Sequence, residues 1–153
     1  MPNKRPKSEA TISFTEADLE GISLPHDDAL VVQVEIAKRP VHRVLVDTGA
    51  SMDLMSHDAN RQFGFGDDTL KPEGTLLHGF LGAAATIKGS TDLLVTFGQA
   101  LCQATIQVKF MEVRSVVAFN AILGCPSLTA LQAIISPVHL KMKFPTENGI
   151  GEI

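Results

Sequence analysis

The clearest period along the chain runs from Ala29 to Ala37, where Val32, Val34 and Ile36 alternate with their neighbours. A period of two marks a strand with one buried face. Lys38-Arg39-Pro40 reads as a short turn, and Val41 to Asp47 as the returning strand of a hairpin. That second strand ends differently. Val44-Leu45-Val46 is a continuous apolar run leading straight into Asp47-Thr48-Gly49. The run predicts a buried strand, and Thr48-Gly49 a sharp change of direction. An ionisable carboxyl therefore stands at the end of a core strand. Asp is seldom fully buried without a partner, so Asp47 either caps a turn or is held there for chemistry.

Downstream, Leu54, Met55, Ala59 and Phe63 fall at helix-like spacing, which predicts a short helix or an irregular turn over Asp53–Phe63, stopped by Gly64 and Gly66. Thr75–Leu81 and Ala85–Phe97 are extended segments around the bend Gly79-Phe80-Leu81-Gly82, a second hairpin. Leu101 to Val113 alternates again, at Cys102, Ala104, Ile106, Val108 and Phe110. Phe119 to Gly124 is a second apolar run ending in glycine, and Pro126 to Leu131 fits a short helix with proline in its first turn. Ile134-Ile135 and Val138–Phe144 read as final strands, the latter with His139, Lys141 and Lys143 on a wet face; Gly149–Ile153 offers one more. Near the start, Ile12-Ser13-Phe14 suggests a short edge strand, and Thr15-Glu16-Ala17-Asp18 a capping box before one helical turn. Residues 1–10 read as a disordered tail or linker ahead of one domain, 11–153. Many short strands at close spacing predict an all-β barrel or sandwich.

Composition narrows this picture. An apolar fraction of 44% in 153 residues suffices for one core, and eight Phe with no Trp or Tyr make that core mainly aliphatic. A net charge of -4 argues against a nucleic-acid platform; the basic cluster Lys4-Arg5-Pro6-Lys7 reads as a solvated tail. No apolar run is long enough to span a membrane and no secretory signal is visible, so no membrane association is expected. Cys102 and Cys125 form no CxxC pair; they read as reduced thiols in an intracellular, cytoplasmic setting, although sequence leaves a disulfide between them open. The five His lack the spacing of a helical metal pair, and neither metal nor cofactor is expected. Asp27-Asp28 and Asp67-Asp68 read as solvated loop acids; Asp53 is a hydrogen-bonding candidate near the Asp47 loop, without an assigned place.

One carboxylate is a weak catalyst. Two held about 3 Å apart cannot both ionise, so one carries a proton while the other acts as base on a shared water. The chain has a single Asp-Thr-Gly. A pair would need two copies on a two-fold axis, where residue 47 meets its own equivalent. The Thr48 hydroxyl could then bond across the axis, and Gly49 would allow close backbone approach.

With these residues the chain resembles the retropepsin family of aspartic proteases, most of all the protease domains of plant gypsy-type retrotransposon polyproteins. Three blocks carry the resemblance: Val44–Ser51; Gly79-Phe80-Leu81-Gly82 on its hairpin, like the family's flap; and Ala121-Ile122-Leu123-Gly124, like its hydrophobic-hydrophobic-glycine element. The segments Thr15–Gly21 and His139–Thr146 are also similar to that plant group. The resemblance implies a closed all-β lobe with a flap hairpin and one or two short helices, active as a homodimer. It implies Asp47 as catalytic acid with Thr48 and Gly49 as its loop. Ala50, Ser51, Gly79, Phe80, Leu81 and Gly82 would meet substrate, and Ile122, Leu123 and Gly124 would support the loop. The implied substrate is an extended peptide of the element's own polyprotein, bound by strand addition. Two features depart from the pattern: Cys125 stands where the group commonly carries arginine, and Ala83-Ala84-Ala85 replaces the usual polar flap residues. The alternative is an inactive retropepsin-like dimerisation or peptide-binding module.

Overall fold

A computed structural model describes residues 10–64, 70–72, 76–80, 83–114 and 118–153, with backbone pairing alone for 76–80 and 83–86. The first hairpin joins β1 (Val31–Ile36) to β2 (Arg39–Val46). Its turn is only Ala37-Lys38, at φ 50° and 65°, the left-handed pair that matches strand twist. Arg39 and Pro40 therefore belong to β2 rather than to the predicted turn, pairing with Ile36 and Glu35. A bulge follows: Val32 pairs with Val44 but Val34 with Val41. The extra residue turns Arg43 to φ 55° and re-phases β2, so that Val44 and Val46 both face the core.

The remaining strands are β3 (Asp53–Ser56), β4 (Leu76–Phe80), β5 (Ala83–Phe97), β6 (Ala104–Val113), β7 (Ala121–Leu123), β8 (Ile134–Ser136), β9 (Lys141–Thr146) and β10 (Gly149–Glu152). The order β1-β2-β7-β3-β6-β5 closes on itself through β1 and β5, where Glu35 pairs with Thr96 and Ile36 with Val95. The result is a six-stranded barrel rather than a sandwich, with β4 added outside on β5. The predicted all-β class stands.

Strand β7 is the keystone. It lies parallel to β2 on one side and antiparallel to β3 on the other. Ala121 and Leu123 belong to the main core with Val44, Met55, Phe97 and Phe110. Ile122 faces a second cluster with Ala50, Leu54, Ile87 and Val113. Burial on both faces explains its unbroken apolar sequence; Ile122 and Leu123 each contribute about 1.5–3 kcal/mol by burial.

Four predicted elements come out differently. Asp53–Phe63 divides into buried β3 and a short helix α1 (His57–Gln62), with the Ser56 hydroxyl accepting the Ala59 N–H at 3.0 Å. Below α1, buried Glu112 accepts from Asn60 Nδ2 at 2.7 Å and pairs with His57 Nδ1 at 3.1 Å. Strand β6 starts at Ala104, because Leu101 adopts φ 79° in the preceding turn. Pro137–Leu140 is a turn, so His139 is not on a strand face but stacks on Phe14, ring centroids 5.3 Å apart. Ile12-Ser13-Phe14 forms no strand; it is held by side chains, with Lys143 Nζ donating to the Ser13 carbonyl at 2.9 Å. The single helical turn after Thr15 is present as a 3₁₀ turn, Glu16–Leu19, and the Thr15 N–H donates to Asp18 at 2.9 Å. The predicted helix near Pro126 is α2 (Cys125–Leu131). Strands β8, β9 and β10 form a separate sheet, from which Met142 and Phe144 enter the main core.

Candidate active site

The Asp47 loop is built from the β2–β7 junction. Val46 pairs with Leu123, and the next N–H, that of Asp47, continues the ladder by donating to the Leu123 carbonyl at 3.0 Å. There the chain turns: the Ala50 N–H donates to the Asp47 carbonyl at 3.2 Å, and the Gly49 N–H to Asp47 Oδ1 at 2.9 Å. The carboxylate is thus oriented by its own loop. It is half-buried, between exposed Thr48 and Gly49 on one side and buried Val46 on the other.

Behind the loop stands the start of α2. The Cys125 N–H donates to the Ala50 carbonyl and its thiol to the Thr48 carbonyl, each at 2.9 Å. Both cysteines are free thiols. Gly124 has no room for a side chain, since an added Cβ would meet the Met52 and Ala50 carbonyl oxygens at 2.4 and 2.6 Å. Its N–H donates to Asp53 Oδ1 at 2.7 Å, and the Ser127 hydroxyl donates to the same oxygen. Burial pushes the Asp53 carboxyl above the ordinary carboxylate range, against the opposing pull of Ser127 and Gly124.

Of the residues singled out from sequence, Asp47, Thr48, Gly49, Ala50 and Ser51 share one loop, with Ile122, Leu123 and Gly124 directly behind it. Ala50 is buried in the second cluster and, with Ser51, Cys125, Pro126 and Thr129, borders an open depression beside Gly49. Gly79 and Phe80 lie on β4, where Phe80 pairs with Ala83 of β5; Leu81 and Gly82 lie outside the described residues. The part of Asp53 and Ser127 was not assigned from sequence. The available signal was a lone acid beside Leu54-Met55, too apolar a setting for a solvated loop. Among the described residues no group of three or more His, Cys, Asp or Glu is arranged to hold a metal ion.

Solved structures share this architecture. The retroviral protease-like domain of Ddi1 from Leishmania major matches at TM-score 0.54 and 17% identity, over 86% of this chain and 95% of that one. The lobe has the retropepsin-like fold. EIAV protease, in a complex with the inhibitor HBY-793, matches at TM-score 0.51 and 20% identity, over 75% of this chain and 99% of its own. A retropepsin-like aspartic protease from Rickettsia conorii matches at 0.51 and 17%, over 80% and 79%. No protein-family model matches the sequence, and no curated protein does. At such identities the shared property is the retropepsin-like fold.

Proposed function

We propose that the chain is an aspartic endopeptidase that works as a homodimer and cuts an extended segment of a retroelement polyprotein, of the plant gypsy type. The observation that carries this reading is the Asp47 carboxylate, oriented by the Gly49 N–H and half-exposed, in a loop whose next residues, Gly49, Ala50 and Ser51, border an open depression. Asp47 from each of two copies would hold one water. The ionised carboxylate takes a proton as the water attacks the scissile carbonyl, and the protonated one donates to the carbonyl oxygen. Collapse of the tetrahedral intermediate then sends a proton to the leaving amine. The pair titrates as a unit.

The site roles follow from this reading. Thr48 and Gly49 hold the loop, and Ala50 and Ser51 begin the substrate groove. The segment Gly79–Gly82, which begins on β4 of the β4–β5 hairpin, covers the bound peptide. In this reading the chain works inside the cell and the domain binds neither nucleic acid nor membrane, in keeping with its net charge of -4.

A second reading, an inactive dimerisation or peptide-binding module, is favoured by one observation: the Cys125 thiol is committed to Thr48 of its own chain and carries no fixed charge. Peptide hydrolysis by the purified chain at mildly acidic pH, beside Asp47→Ala, separates the two. Cleavage by the wild type and none by the variant is expected. Equal cleavage by both sinks the catalytic reading, and a folded dimer without cleavage establishes the second.

A further inference from the structure

We propose that Asp53 is the positioning residue of the Asp47 loop, acting through the β7–α2 junction; this rests on the reading of that loop as catalytic. Asp53 opens β3, six residues after Asp47, and is 4% exposed. A single oxygen, Oδ1, takes the Gly124 N–H at 2.7 Å and the Ser127 hydroxyl. These two donors bracket Cys125, the residue that grips the loop through its N–H on Ala50 and its thiol on Thr48. The chain of contacts is therefore continuous. Asp53 fixes Gly124 and Ser127, these fix Cys125, and Cys125 fixes the carbonyls on either side of Gly49, whose N–H orients the Asp47 carboxylate.

Gly124 has little freedom to shift toward another acceptor, since it is packed against the Met52 and Ala50 carbonyl oxygens. Removing the carboxyl takes the partner from three donors, the Gly124 N–H and the Ser127 hydroxyl and N–H, at the point where the loop is anchored. The work is done by an acceptor oxygen rather than by charge, so an amide can replace it. Asp53 touches no reacting atom in this scheme; it sets where Asp47 stands.

The test compares wild type, Asp53→Ala, Asp53→Asn and Ser127→Ala as full chains, each checked for cooperative unfolding. Because small misplacements of reacting groups cost up to about 100-fold in rate, Asp53→Ala is expected to lower kcat at least about tenfold with KM within about twofold. Asp53→Asn should recover most of the loss. Unchanged kcat in folded Asp53→Ala, a loss confined to KM, or an Asn variant as damaged as the Ala variant overturns the proposal. Amide hydrogen exchange provides a readout independent of hydrolysis, so the proposal stands or falls even if the wild type cuts nothing. Protection of the Gly49 and Cys125 N–H groups should fall in Asp53→Ala and hold in Asp53→Asn, with Ile36 and Val95 unchanged. If Asp53→Ala does not fold, Ser127→Ala, which removes one donor, should loosen the same two amides. Unchanged Gly49 protection in a folded Asp53→Ala, or in Ser127→Ala when it stands in, refutes it.

Discussion

A methyl group added at Gly124 would stand 2.4 Å from the Met52 carbonyl oxygen, with no flexible side chain to give way. Gly124→Ala is therefore expected to destabilise the fold by about 1–3 kcal/mol, the usual range for overpacking, read as a lower urea midpoint. Gly49 is different. Its added Cβ would meet only the Asp47 carboxylate, at 3.3 Å, and its φ is outside the left-handed region. Gly49→Ala should change stability by less than about 1 kcal/mol while displacing the carboxylate and lowering hydrolysis. The two glycines end similar apolar runs, and sequence does not separate them; what separates them is the distant Met52 and Ala50 carbonyls in one case and the near neighbour Asp47 in the other. Asp53 adds a pH effect of definite sign. Its raised folded-state pKa means that its contribution is fully present below the unfolded value of about 3.9 and is lost as pH rises through the raised value. Asp53→Asn should flatten that loss in denaturation curves taken from acid to neutral pH.

At the scale of elements, β1 and the approach to Asp47 were legible because Val32, Val34 and Ile36 alternate and Val44 to Val46 do not. Strand β3 was not legible. Its four residues are all buried, and two of them, Asp53 and Ser56, are polar; a period cannot show in so short a run. Nor does sequence reveal that β2 runs parallel to β7, since the partners Val46 and Leu123 are fixed by closure of the barrel. The N-terminal segment is another such case. Its place depends on Asp18, which takes Lys141 and Lys143 at 3.0 Å each. The Thr15 N–H first, then these two lysines, hold the Asp18 carboxyl well below the usual range. A depressed carboxyl stabilises above its unfolded pKa, about 3.9, and that stabilisation is lost as pH falls below it. Limited proteolysis should therefore reach residues 10–20 more readily in Asp18→Asn at neutral pH, and in the wild type under strong acid, with the barrel still intact. Equal cleavage rates in wild type and variant would show that the lysine contacts do not hold the segment.

At the scale of the whole molecule, the proposed chemistry belongs to two chains rather than one. Sedimentation should show a mass that rises with concentration towards twice 16.4 kDa, with hydrolysis following the dimer fraction. Cys125→Arg exchanges a thiol bound to Thr48 for a guanidinium with five donors. It is expected to tighten self-association, and an unchanged dimer constant would remove that role from position 125. The all-β class, barrel or sandwich, was legible from the spacing of the strands, and the closed retropepsin-like lobe only from the resemblance carried by the three sequence blocks. The buried clamp behind the loop was not, because Asp53, Gly124 and Ser127 meet only when the ring is closed.

Strand β7 has a consequence in time as well as in space. It fills a slot between β2 and β3, two strands made long before it. Until residues 121–123 arrive, the Asp47 N–H has no Leu123 carbonyl to bond and the loop has no Cys125 behind it. Such distant pairings form late in folding. A chain still being synthesised would carry its Asp-Thr-Gly unassembled. The Asp47 loop can therefore take its final form only once the last fifth of the sequence has joined the barrel. A fragment ending at Val113 should accordingly fail to protect the Gly49 N–H, and adding a peptide of residues 114–153 should restore it.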